Sequence, residues 1–153
     1  MRKKITLFHY TTGIHYKKII SSRVLLTENE TTPYALRPGE KGFLWFTASP
    51  DWEPTANKMW NNKDGTNMSL TTEETEEICN GLYRFGVYLS PSFIHWKSLK
   101  GKIEYKLYNV LKEIAIESGS DPNLWYVSSK PVAIERCCRI ERYNNGKWIA
   151  SSS

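Results

Sequence analysis

His9-Tyr10-Thr11 ends an alternating apolar run and stands directly before a helical pattern. A histidine and two hydroxyls at a strand exit can hold a ribose or a phosphate by hydrogen bonds, since the N–H groups at the start of the next helix point the same way. The plainer alternative is that His9 closes the sheet and Thr11 caps the helix. A second stretch with chemical promise is Phe43-Leu44-Trp45-Phe46-Thr47-Ala48, an apolar run that ends in a hydroxyl. Trp45 and Thr47 lie two apart and share a face of a strand. A ring there can sit beside a planar heterocycle, or the run can be plain core. Arg84 stands between apolar neighbours in Tyr83-Arg84-Phe85-Gly86-Val87. On a strand it points to solvent or reaches into a cleft, where a guanidinium binds phosphate bidentately. Carboxylates are scattered through loops at Glu40, Asp51, Glu53, Asp121 and Glu135. Taken singly, each is most often a solvated surface charge.

Positioning these groups requires strands. Ile5, Leu7 and His9 alternate with Thr6, Phe8 and Tyr10, which predicts a strand over Lys4 to Tyr10. Thr11 or Thr12 then caps a helix of about ten residues reaching Ser22. Val24 to Leu26 reads as a short strand and Glu28 to Lys41 as a long loop with Pro33, Pro38 and Gly39. Loops of that length in a small domain usually carry function. Gly42 to Ala48 is strand-like, a short helix is expected near Thr55 to Trp60, and Asn61 to Asn67 is a polar loop. Thr71-Thr72-Glu73-Glu74 matches a capping box, opening a short helix that stops near Asn80-Gly81. Leu82 to Leu89 reads as a strand. Ile103, Leu107, Val110, Leu111 and Ile114 repeat at helical spacing up to Ser118-Gly119. Strands are expected over Leu124 to Ser128 and Val132 to Tyr143, and Asn144-Asn145-Gly146 closes a hairpin onto Lys147 to Ala150. The sum is one α+β domain over 1–150 with a mostly antiparallel, split sheet and a few short helices, followed by a tail at 151–153.

Composition narrows the classes. The chain has 153 residues, 40% of them hydrophobic and 13% aromatic, which excludes disorder and allows a real core. Lys and Arg number 21 against 16 Asp and Glu, and the basic residues crowd ahead of Glu28. A basic N-terminal third favours an anionic ligand such as a nucleotide; its plainer alternative is a solvated face. Cys79, Cys137 and Cys138 fit neither a disulfide framework nor a metal spacing, and the three histidines lack ligand spacing. The expectation is a reduced, cytoplasmic protein with no metal. No apolar stretch is long enough to span a membrane, and the start lacks the hydrophobic region of a signal peptide.

The order of these pieces resembles the ADP-ribosyltransferase-like superfamily. A His-Tyr-Thr strand and helix come first, then a Trp strand ending in a hydroxyl, an Arg-containing strand and a late Trp strand, over roughly Leu7 to Ser128. That superfamily takes in diphtheria-toxin-like transferases, DNA-modifying transferases and RNA 2′-phosphotransferases. The resemblance implies that NAD is the substrate and that the nicotinamide–ribose bond breaks through an oxocarbenium-like state. His9 would bind the ribose next to nicotinamide, with Tyr10 and Thr11 shaping the same pocket. Trp45 or Phe46 would stack on nicotinamide with Thr47 beside it, and Arg84, Asn123 and Trp125 would complete the binding set. The family's late acid would polarise the ribose or activate the acceptor. Here the chain departs, because Asn123-Leu124 stands just ahead of Trp125, and an amide cannot serve as a general base. Asp121, two residues earlier, is the substitute, which makes His9, Tyr10 and Asp121 the expected catalytic set.

Three functions compete on this reading. The first is transfer of ADP-ribose from NAD to a protein or nucleic-acid acceptor, in a chain whose size suits a bacterial or phage toxin or effector. The second is an inactive module that holds NAD, ADP-ribose or a related nucleotide. The third is a small basic RNA-binding domain whose aromatics stack on bases.

Overall fold

The computed structural model describes residues 3–28, 41–61 and 63–151. Most of the loop expected over Glu28 to Lys41, with Glu40, lies outside the described residues, as do residues 152 and 153. Strand β1 (Thr6–Thr12) runs directly into helix α1 (Gly13–Ser22). The strand extends two residues past Tyr10 because all seven of its residues pair with a neighbour, through Thr12 opposite Leu82. Gly13 allows the tight junction: a Cβ there would lie 2.0 Å from the Asn80 carbonyl oxygen, so only glycine fits. Strands β2 (Val24–Leu25) and β3 (Leu44–Thr47) follow.

The short helix expected near Thr55 to Trp60 is instead a single 3₁₀ turn, Pro54–Ala56, running into strand β4 (Met59–Asn61). Pairing of β4 with β5 (Asn67–Ser69) wins over the local helical preference. Helix α2 (Thr72–Ile78) opens with the expected capping box, in which the Thr71 hydroxyl accepts from Glu74 N and the Glu74 carboxylate from Thr71 N. Strand β6 (Leu82–Tyr88) and the short β7 (Ile94–His95) precede helix α3 (Tyr105–Ser118). Gly119 ends α3 with φ 79°, and Ser120 N reaches back to Ala115 O at 2.8 Å. Strand β8 (Trp125–Ser128) follows. The long strand expected over Val132 to Tyr143 is broken into β9 (Val132–Ala133), a 3₁₀ turn and β10 (Arg139–Asn144). Asn145 and Gly146 both take positive φ, the geometry of a tight hairpin turn into β11 (Lys147–Ala150).

Seven strands form one sheet in the order β11-β10-β6-β1-β3-β8-β7, and every pairing in it is antiparallel. The α+β class and the antiparallel sheet are as expected. Ser151 belongs to the fold: its N–H reaches Ile140 O, and its hydroxyl meets that of Tyr16.

Two cores form on this sheet. Leu7, Phe46, Phe85 and Val87 pack with Leu25 and Val132 under α1, contacting Ile19 and Ile20. Phe43, Trp96, Trp125 and Val127 pack with Leu107 and Ala115 of α3. The alternation of β3 and the residue before it serves both, sending Leu44 and Phe46 to the first core and Phe43 and Trp45 to the second. None of the three cysteines is in a disulfide. Among the described residues no helix is long and apolar enough to cross a membrane.

Candidate functional site

The sheet nearly separates between β1 and β3, which share one register pair, Phe8 opposite Thr47. Next to this seam lies a cavity of about 330 Å³, walled by His9, Tyr10, Trp45, Phe46, Thr47 and Trp125 and also by Glu53, Thr55 and Lys58. His9 bridges the seam, its Nδ1 lying 2.8 Å from the Trp45 carbonyl oxygen. A carbonyl only accepts, so Nδ1 carries the proton and donates, and Nε2 keeps its lone pair. Burial holds the imidazole below its ordinary pKa of 6.5 against the opposing pull of the Trp45 bond; Lys58 and His15 push the same way as burial. His9 is therefore a neutral acceptor at neutral pH, fitted to receive a hydroxyl proton.

Trp45 is half-buried and braced edge-on by Phe43 and by Trp125, whose ring centroid is 5.7 Å away. Behind it, Trp96 stacks on Tyr108 of α3 at 4.2 Å and 12°. The ring is rigidly held yet keeps surface on the cleft. Phe46, by contrast, is 2% exposed and packs against Phe93 in the first core. Of the two aromatics expected to stack on a flat ligand, Trp45 is the one with area to offer. The Thr47 hydroxyl accepts from Ser49 N at 3.1 Å and turns the chain out of β3.

Glu28 and Glu53 both line this cleft, and Glu53 is the acid set against Trp125. Its Oε1 accepts from the Trp125 indole N–H at 2.9 Å and from the Ser120 hydroxyl at 2.7 Å. Its Oε2 accepts from Thr55 N at 3.1 Å and from the Thr55 hydroxyl, capping the 3₁₀ turn that Pro54 begins. Lys58 supplies the cation. Burial lowers its pKa, and no hydrogen bond or ion pair holds its ammonium among the described residues. His15, exposed on the first turn of α1, lies close enough for Lys58 to lower its pKa as well, after burial.

The structure thus gathers His9, Tyr10, Trp45, Phe46, Thr47 and Trp125 on one cavity and leaves four expected residues elsewhere. Tyr10 lines the cleft, but its hydroxyl donates to Ser49 O at 2.6 Å, and burial, opposed by Arg84, raises its pKa to about 12. Thr11 is buried within β1 opposite Tyr83. Arg84 is 5% exposed and closed into an ion pair with Glu141, away from the cleft lining. Asp121 is exposed, and its carboxylate accepts from Asn123 N to cap another 3₁₀ turn. It lines a neighbouring cavity of about 250 Å³ that shares Thr47 and Glu53 with the cleft. The Asn123 carbonyl meets His95 Nε2, and its side chain is not on the cleft. Glu53 was legible as a loop acid, with nothing in its neighbours tying it to Trp125. Lys58 gave no signal in sequence. Comparison with family models, with curated proteins and with solved structures returned no match.

Proposed function

We propose that the cleft binds NAD and that the protein transfers ADP-ribose from it to a protein or nucleic-acid acceptor. The observation that carries this reading is the company His9 keeps: a neutral acceptor imidazole, a half-exposed Trp45 and the Glu53 carboxylate on one small cavity, with Lys58 beside them. In this reading Nε2 of His9 receives a ribose hydroxyl and Trp45 faces the nicotinamide ring. A volume near 330 Å³ suits the nicotinamide-ribose half of the dinucleotide. The ribose–nitrogen bond breaks and its electron pair leaves with nicotinamide. The acceptor's lone pair then forms the new bond to the same ribose carbon, and its proton passes to solvent or to a carboxylate. Glu53 contributes fixed negative charge next to the oxocarbenium-like carbon, the kind of preorganised electrostatics that lowers a barrier most. Lys58 balances the phosphates.

One observation favours a second reading. Each oxygen of Glu53 already accepts two hydrogen bonds within the protein, as suits a module that holds a nucleotide without transferring it. Incubation with NAD, with chromatography of released nicotinamide, separates the two. Glu53→Gln keeps the side chain's shape and removes its charge. Transfer predicts that release falls by about 10² to 10³ while NAD affinity, measured by calorimetry, changes little. Unchanged release removes Glu53 from the mechanism. Binding without release in the natural protein selects the module, and absence of both rejects the two readings together.

A further inference from the structure

Residues 48–53 connect β3 to the first 3₁₀ turn with no regular structure of their own, yet they deliver Glu53 to the cleft. Three consecutive carbonyls of this segment are each taken by a side chain from a different strand. The Tyr10 hydroxyl of β1 donates to Ser49 O at 2.6 Å. The Arg84 guanidinium of β6 donates to Pro50 O. The Trp148 indole of β11 donates to Asp51 O at 2.9 Å. Trp52 comes next, its ring 5.2 Å from that of Tyr10 and lying parallel to that of Trp148 at 6.4 Å. Such carbonyls in a surface loop ordinarily face water and leave the backbone many conformations.

We infer that Arg84, Tyr10 and Trp148 are positioning residues, which clamp the 49–51 backbone so that the Glu53 carboxylate stays beside Trp125 on the cleft. Arg84 is the hub. Its Nε and Nη2 both reach Glu141 Oε1 at 2.8 Å, and its guanidinium lies 4.1 Å from the Phe8 ring centroid and 4.6 Å from that of Trp148. The ion pair fixes the fork on one side, which leaves Nη1 aimed at the Pro50 carbonyl. Two of the four groups involved, Glu141 and Trp148, come from the β10–β11 hairpin, so the last element of the described fold sets the geometry of a loop almost a hundred residues earlier. The role in turnover rests on the NAD reading; the positioning itself does not.

Two conservative variants test it. Arg84→Lys keeps the charge opposite Glu141 and loses the fork that reaches Pro50. Trp148→Phe keeps the ring against Trp52 and Arg84 and loses only the N–H. Because the Trp125 indole N–H donates to Glu53, its ¹H–¹⁵N cross-peak reports where that carboxylate sits, whether or not the protein turns over NAD. The peak is assigned by Trp125→Phe. Clamping predicts that the Trp125 peak moves or broadens in both variants at a temperature where both are fully folded. It also predicts, if NAD is cleaved, that kcat falls about tenfold with KM within about twofold. A lower Tm with the Trp125 peak in place and kcat unchanged would make the cluster merely structural and overturn the inference. If Arg84→Lys fails to fold, Trp148→Phe decides alone. If NAD is not cleaved, the cross-peak decides.

Discussion

Two aromatic clusters on this sheet do opposite things with the same kinds of side chain. Near the cleft, Phe43, Trp45, Trp96 and Trp125 include three edge-to-face contacts, Tyr108 stacks on Trp96, and Trp45 stays half-buried with area on the cavity. Beside β10 and β11, Phe8, Tyr10, Trp52 and Trp148 close around the Arg84–Glu141 ion pair. The first cluster makes a rigid wall to the cleft. The second makes a clamp for a loop. Six Trp and nine Tyr signal aromatic sites in a chain this short, but whether a given ring is wall or clamp depends on which strands become neighbours.

The largest expected effect comes from breaking the clamp. Arg84→Met strands Glu141, whose side chain is 15% exposed, as an unpaired charge, and costs about 3–5 kcal/mol in urea unfolding. Pairing it with Glu141→Leu restores most of that loss, because a buried ion pair replaced whole by apolar groups is close to neutral. A double variant as unstable as the single one would mean that the hydrogen bonds to the loop, and not the charge, dominate.

Breaking the wall has the reverse profile. Trp45→Leu lowers NAD affinity by about 1–3 kcal/mol, the range for an aromatic platform under a flat ring, and destabilises the fold less than Arg84→Met does. Calorimetry and unfolding on the same protein check both halves. Lys58→Met sharpens the cleft side further: NAD binding weakens about tenfold, and Tm holds or rises, since a partly buried ammonium with no partner among the described residues is removed.

The smallest effect is on pH. Burial keeps the folded-state pKa of His9 below 6.5, so the unfolded chain takes up a proton that the folded chain does not as pH falls through that value. Stability is unaffected above pH 6.5 and declines progressively below it. His9→Asn removes this contribution and flattens the fall in Tm below pH 6.5, leaving the part due to His15, which shifts in the same direction. An identical slope in natural and variant protein would show that His9 titrates freely in the folded state.

Local signals made much of the fold legible. Alternation marked β1, short strand-like runs marked β6 and β8, the apolar spacing marked α3, the capping box marked α2, and Asn145-Gly146 marked the last turn. What failed to show was non-local. The segment from Thr55 to Trp60 looks helical on its own and becomes a 3₁₀ turn and a strand because β5 pairs with it. Arg84 reads in sequence as solvent-facing or cleft-facing, and the third outcome needs Glu141, 57 residues later, brought to the adjacent strand. The acid is the sharpest case. Proximity in sequence to Trp125 pointed to Asp121, whereas the carboxylate on the Trp125 indole comes from Glu53, 72 residues earlier. His9, Trp45 and Thr47 were legible because β1 and β3 carry their own patterns, and the seam that joins them was not.

The central claim is that the seam between β1 and β3 holds NAD, and a thermal-shift titration with NAD on the natural protein and on His9→Ala tests it most directly. The prediction is a saturable rise in Tm for the natural protein and none for His9→Ala, whose own Tm falls by no more than the loss of one hydrogen bond to Trp45, about 1 kcal/mol, implies. No shift in the natural protein, or an equal shift in both, would contradict it.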